Sequence, residues 1–117
     1  MKPEDVRAWI LQLLADGDSN LHGFYASGIW ESLRREVLKE DKGECQSCKA
    51  RGRYTPANHV HHVNFIKYRS ELALSKVFTD AAGIIRRNLI SVCKPCHEEI
   101  HDYRQKHRAP PLTEERW

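Results

Sequence analysis

The sequence predicts a small α+β fold that is mostly helical. The chain has 117 residues, which is the size of a single domain. Three stretches show the apolar periodicity of amphipathic helices, and two short runs of β-branched residues between them favour strands. A chain this small buries a modest core and often needs an added staple such as a metal ion.

The first helix is predicted over residues 3–15. Pro3 suits the first helical turn, and Glu4 and Asp5 lie near the positive end of the helix dipole. The predicted buried stripe contains Val6, Trp9, Ile10, Leu13 and Leu14. We expect residues 1–20 to form an N-terminal helix and loop, which serves either core packing or the docking of a partner.

A second helix is predicted from Ser27, which is a suitable N-cap, to about residue 40. Strands are predicted near residues 60–65 and 89–92, whereas residues 70–83 show no clear pattern. The last helix is predicted from Lys94 to about Arg108 and is stopped by Pro110-Pro111. Residues 109–117 then form a polar tail.

The basic residues are concentrated in one part of the chain. Residues 34–76 contain ten Lys or Arg and five acidic residues, whereas the whole chain carries a net charge of only +3. A local excess of positive charge fits a polyanionic partner, although an ordinary solvated surface has the same appearance.

The four cysteines form two CxxC pairs, and we expect them in a reducing cytoplasm. The chain shows no signal peptide and no apolar run of about 20 residues, so metal binding is favoured over disulfides. Two CxxC pairs predict a closed, tetrahedral, structural zinc site. A redox CxxC motif and haem attachment at the CxxCH run are the alternatives. The predicted zinc ligands are Cys45, Cys48, Cys93 and Cys96.

Five of the seven histidines lie close to these cysteines in the sequence. His97 and His101 are four residues apart on the predicted last helix, so they share a face and can bind one metal ion. His61 and His62 are neighbours on a predicted strand, whose successive side chains point to opposite faces. We therefore expect His61 and His62 to have different roles.

These residues, taken together, resemble the motif of the zinc-containing HNH endonucleases, most closely those of tailed bacteriophages. The resemblance rests on Val60-His61-His62-Val63 and on the run from Asn88 to His101, which includes the second CxxC pair. The upstream residues Phe24, Tyr25, Ser27 and Trp30 resemble the same group. The resemblance implies a ββα-metal core, also called a His-Me finger, within a nuclease domain at residues 24–108.

The resemblance also implies a role for each motif residue. His62 is the general base, and Asn88 holds the motif loop and the orientation of His62. A catalytic divalent ion (Mg²⁺, Mn²⁺, Ni²⁺ or Zn²⁺) is held by His61, His97 and His101. His59 lies two residues before His61, so it either supports this site or points into solvent. The arginines expected to contact DNA are Arg51, Arg53, Arg69, Arg86 and Arg87.

The implied activity is hydrolysis of DNA to 5′-phosphate and 3′-hydroxyl ends, with weak sequence specificity. Tailed-phage relatives also imply a role in DNA packaging, terminase proteins as partners and the host cytoplasm as the location. We expect no membrane contact, and either a monomer or a homodimer. Residues 76–87 depart from the family pattern and are interpreted as an inserted loop. The alternative function is a non-catalytic zinc module that binds nucleic acid or a protein.

Overall fold

The computed structural model describes the backbone of residues 1–106 and the side chains of residues 1–100. The predicted tail at 109–117 and the side chain of His101 therefore lie outside the described residues. The helices are α1 (Pro3–Ala15), α2 (His22–Tyr25), α3 (Gly28–Glu40), α4 (Gln46–Ala50) and α5 (Lys94–Lys106). The strands are β1 (His59–His62), β2 (Val77–Thr79), β3 (Ile85–Arg87) and β4 (Leu89–Val92), and residues Ser70–Leu72 form a 3₁₀ helix.

The predicted helix starts at Pro3 and Ser27 are confirmed. The Ser27 Oγ accepts a hydrogen bond from the backbone N–H of Trp30 at 3.2 Å, which caps α3. The short helix α2 was not predicted. It begins after Leu21, which has a left-handed backbone with φ of 55°, and the Asp18 carboxylate accepts hydrogen bonds from the backbone N–H groups of His22 and Gly23.

Strands β1 and β4 form a two-stranded antiparallel sheet, and α5 follows β4 directly. In this sheet His61 lies opposite Ile90, and His62 lies opposite Leu89. Strand β1 ends at His62, three residues earlier than predicted. The Val63 N–H still donates to the Asn88 carbonyl, but the Asn64 N–H donates to the Asn88 side chain and not to a strand. The two strands and the helix give the predicted ββα arrangement within a small α+β fold.

Residues 76–87, interpreted above as an inserted loop, form a β-hairpin at the end of α3. Strands β2 and β3 pair in register, with Val77 opposite Arg87. The Arg87 guanidinium donates to both carboxylate oxygens of Asp41 at 2.9 and 2.8 Å. Burial alone would raise the pKa of Asp41, but hydrogen bonds from Arg87 and Ser91 outweigh it and hold that pKa below its usual value. The base of the hairpin is therefore attached to α3 by an ionised carboxylate.

Replacing this carboxylate should destabilise the fold. We expect D41N to lower the free energy of unfolding by about 1–2 kcal/mol, because the charged acceptor of Arg87 is lost. The effect should be full above about pH 4 and fade as the pH falls through the lowered pKa of Asp41. Urea unfolding at several pH values measures it. The control E31Q removes an exposed partner of Arg34 and Arg35 and should cost at most about 0.5 kcal/mol; equal effects of the two variants would contradict the prediction.

One apolar core joins the N-terminal helix to the rest of the described chain. Val6 and Ile10 of α1 are buried together with Phe24, Trp30 and Leu89. Helix α1 packs on the 3₁₀ helix and on α2. Of the two roles considered for α1, core packing is the one that these contacts favour. No helix within the described residues is both long enough and apolar enough to cross a membrane.

Candidate active site and metal centre

The four cysteines meet at one buried point. Cys45 precedes α4 and Cys48 lies within it, whereas Cys93 follows β4 and Cys96 lies in α5. The four sulfur atoms lie within 4.8 Å of one another, and the Sγ of Cys48 is 3.9 Å from that of Cys93 and 3.6 Å from that of Cys96. Four sulfurs bound to one zinc ion at about 2.3 Å are separated by about 3.8 Å. The cluster therefore has the dimensions of a tetrahedral zinc site.

The environment of the thiols also fits a cation. Burial works to raise the pKa of the Cys45 thiol, but hydrogen bonds donated by the Cys48 and Cys93 backbone outweigh it and lower this pKa to about 7. Burial and the neighbouring sulfur atoms raise the pKa of Cys96. A metal cation binds thiolates and would stabilise their negative charge in this buried cluster.

A second group of side chains, the imidazoles, gathers between β1 and α5. The ring of His97 lies 5.6 Å from that of His61 and 5.1 Å from that of His59, measured between ring centroids. Two imidazoles on one tetrahedral ion have ring centres about 5.3 Å apart, because the metal–nitrogen bond is about 2.1 Å. The ring separations of His97 from His61 and from His59 are therefore both compatible with a shared ion. The imidazoles do not form a complete ligand set among the side chains of residues 1–100. In that part of the chain, the four cysteines are the only group in which three or more ligand atoms all lie within 4.8 Å of one another.

His59 does not simply face solvent. Its Nδ1 donates to the Oδ1 of Asn58 at 2.7 Å, and its ring contacts that of His97. The side chain is half-buried. Because the hydrogen bond fixes the ring, His59 can help to orient His97.

His62 lies on the other side of β1 from His61. Its ring stacks on Trp30, with 4.8 Å between centroids and an interplanar angle of 27°. Its Nε2 donates to the backbone carbonyl of Ala73 at 2.9 Å, because a carbonyl only accepts. In the neutral ring the proton is thereby on Nε2, and the basic lone pair is on Nδ1.

Asn88 is fully buried and connects two loops. Its Nδ2 donates to the carbonyls of Leu72 and Ser75 at 2.9 Å each, and its Oδ1 accepts from the backbone N–H and the side-chain amide of Asn64. Ala73, the acceptor of His62, lies between Leu72 and Ser75. Asn88 therefore holds the segment that fixes the orientation of the His62 ring.

A cleft of about 780 Å³ lies between β1, α3 and the loops at residues 19–21 and 65–68. His59, His61, His62 and His97 all line it. Its cationic lining residues are Arg34 and Lys67, and no carboxylate is among the lining side chains of the described residues. A cleft of this composition can accept an anion.

The arginines predicted to contact DNA lie elsewhere. None of the five lines the cleft. Arg51 contacts Glu99 at 3.5 Å and Arg69 contacts Glu71 at 2.9 Å. Arg86 pairs with Asp80 in the hairpin turn, Arg87 pairs with Asp41, and Arg53 is exposed after α4. A role of these side chains in DNA contact stays a prediction.

Several residues of the cleft were not among the predicted site residues. Arg34 lines the cleft and donates to the Asn58 carbonyl at 2.6 Å. Its position four residues after Trp30 places both on one face of α3, and this spacing was a usable signal. Lys67-Tyr68-Arg69, an aromatic residue between two cations, was another. The Ala73 carbonyl has no sequence signal.

No protein-family model matches the chain, and a search of curated proteins finds no match. Among solved structures, the chain is similar to the crystal structure of the HNH endonuclease of the deep-sea thermophilic bacteriophage GVE2 with a manganese ion. The TM-score is 0.62 and the sequence identity 26%, over 79% of this chain and 89% of that one. The expected resemblance is confirmed: the chain has the fold of a bacteriophage HNH endonuclease, and its four-cysteine cluster fits a zinc site.

Proposed function

We propose that the protein is a metal-dependent DNA endonuclease that hydrolyses phosphodiester bonds through a water activated by His62. The observation that carries the proposal is the position of His62: it lines the same cleft as His61 and His97 but extends from the opposite face of β1. A base on one side of a strand and metal ligands on the other can act on one phosphate without competing for the ion.

His62 can take a proton from the attacking water through Nδ1, because Nε2 is held by the Ala73 carbonyl. Trp30 restricts the ring by stacking on it. Asn88 is a positioning residue, which acts through the Leu72–Ser75 segment rather than on the substrate. Arg34 and Lys67 supply the positive charge of the cleft.

The proposed ligands of the catalytic ion are His61, His97 and His101, with His59 in a supporting role. His97 and His101 are four residues apart on α5, so they lie on one face of the helix. A bound Mg²⁺, Mn²⁺, Ni²⁺ or Zn²⁺ would neutralise charge on the phosphate and on the leaving oxygen. Imidazole ligands favour the transition metals in this group.

The finer parts of the proposal follow the family resemblance. The products would carry 5′-phosphate and 3′-hydroxyl ends, and sequence specificity would be weak. A role in phage DNA packaging beside terminase proteins, in the host cytoplasm, is the proposed setting. A monomer would nick one strand, whereas a double-strand break would need a homodimer or a partner.

Nicking of a supercoiled plasmid tests this function. We expect conversion to the open circle with added Mn²⁺, Ni²⁺, Mg²⁺ or Zn²⁺ and none with EDTA, with zinc content measured in every sample. Sealing of the nicks by DNA ligase without prior kinase treatment would support the proposed ends. A folded, zinc-loaded wild type that is inert with all four metals would contradict the proposal and support the non-catalytic zinc module.

A further inference from the structure

Two exposed tyrosine rings line the cleft. Tyr68 is 65% exposed and Tyr25 is 45% exposed, and both line the cleft that contains the imidazoles. Tyr68 lies in the turn at residues 66–68, and its ring makes a T-shaped contact with that of Phe65, with 5.7 Å between centroids. Tyr25 makes T-shaped ring contacts with Phe24, Trp30 and His62. Both tyrosine rings thus contact neighbouring aromatic side chains, while a large part of each ring stays exposed.

The composition of the cleft is unusual for a groove that holds only a sugar–phosphate backbone. Seven of its sixteen lining residues are apolar or aromatic, and two are permanent cations. Duplex DNA hides the faces of its bases and presents phosphates, so a duplex-binding groove gains most from Lys and Arg. Aromatic rings instead gain from bases that are not stacked in a duplex.

The remaining polar residues suit the same ligand. Asn20 and Asn58 also line the cleft, and both are exposed. Their amide groups can donate to and accept from the edges of an unpaired base. Arg34 and Lys67 can each contact a phosphate, and the lining side chains of the described residues include no carboxylate that would repel the strand.

We propose that this cleft binds an unpaired DNA strand, with a base stacked on Tyr68, a second base against Tyr25, and the backbone on Arg34 and Lys67. The inference rests on the proposed function, because it names the substrate class of the same site. Gaps, flaps, branch points and locally melted duplex are then preferred over intact duplex. A melted or branched region places the scissile phosphate beside His62 without widening the cleft.

Fluorescence anisotropy with labelled oligonucleotides tests this inference without cleavage. The probes are a 20-nucleotide single strand, the fully paired duplex of that sequence, and the duplex with a three-nucleotide gap, in buffer without added divalent metal. We expect the wild type to bind the single strand and the gapped duplex about 10-fold more tightly than the intact duplex. Equal affinities would overturn the proposal.

Tyrosine variants test whether a base stacks on Tyr68. Y68A should weaken binding of the single strand about 5-fold or more, whereas Y68F should keep it because the ring remains. The matched control is Y54A, since Tyr54 is 69% exposed but does not line the cleft. An equal effect of Y68A and Y54A would overturn the assignment of Tyr68.

Nicking rates on two forms of one plasmid distinguish a failure of this inference from a failure of the proposed nuclease function. Negative supercoiling melts short regions, so supercoiled plasmid should be nicked several-fold faster than the relaxed closed circle. Equal rates on both forms would overturn the preference for unpaired DNA and leave the nuclease intact. Tighter binding of the single strand by a protein that cuts neither form would support the inference and contradict the nuclease.

Discussion

Cys48→Ser should abolish the cooperative fold of the protein or lower its melting temperature by more than about 10 °C. A structural zinc ion contributes on the order of 10 kcal/mol to folding, whereas a whole domain is stable by about 5–15 kcal/mol. Each kcal/mol lost shifts the melting temperature of a domain of this size by several degrees. Losing one of four thiolates is therefore sufficient to unfold much of the population.

Apolar packing around the thiols is too limited to replace the folding free energy that a zinc ion would supply. Apart from the cysteines, the buried cluster there contains Val92, with Ala57, Ile90 and Ile100 partly buried beside it. The ion would join α4 to the start of α5, two elements that are otherwise held by few apolar contacts. Loss of the ion should therefore release α4 and the start of α5 first.

Circular dichroism during thermal unfolding and metal analysis of the purified protein measure this effect. The control is Ser47→Ala, which changes the adjacent residue of the same CxxC turn and leaves all four thiols in place. We expect S47A to retain one zinc ion per chain and a melting temperature close to that of the wild type. A wild type that contains no zinc, or a C48S that melts as the wild type does, would refute a structural ion.

His62→Ala should lower the rate of plasmid nicking by at least about 100-fold. A positioned general base contributes about 10²–10⁴-fold to a hydrolytic rate. Removing the ring also removes its stacking with Trp30, so H62Q is the sharper variant. Its side-chain amide can still donate to the Ala73 carbonyl, but an amide has no basic nitrogen.

Initial rates of nicking measure the effect, with zinc content and circular dichroism as checks on the fold. His22→Ala is the matched control, because His22 is exposed and lies outside the cleft. We expect H22A to cut at the wild-type rate. Nicking by a folded H62Q within about threefold of the wild type would remove His62 from the proposed mechanism.

Features with local causes were predictable from the sequence. The cap at Ser27 needs only its hydroxyl and the backbone of Trp30. The opposite orientation of His61 and His62 follows from strand geometry, and the thiol cluster follows from the spacing within each CxxC pair. For the cap and the strand the determining atoms are within a few residues of one another. The thiol cluster joins two pairs 45 residues apart, but each pair is recognisable from its own CxxC spacing.

Features that depend on distant backbone were not predictable. The acceptor of His62 is a carbonyl eleven residues away, and any residue type offers a carbonyl. The pairing of Arg87 with Asp41 spans 46 residues, and no local pattern distinguishes Arg87 from Arg53. The spacing of Arg34 from Trp30 places both on one face of α3, but the exposure of that face to the cleft depends on how α3 packs against β1.

The hairpin of β2 and β3 also bears on how the chain can be modified. Its base is anchored by Arg87 to Asp41 and by Lys76 to Glu36 and Glu40, whereas its turn at residues 80–84 is mostly exposed and is ordered by hydrogen bonds to Asp80. Exposed turns with a fixed base accept insertions without disturbing the elements beneath them. Residues 81–83 are therefore a suitable place to graft a peptide tag or a second recognition module while leaving the thiols and imidazoles where they are.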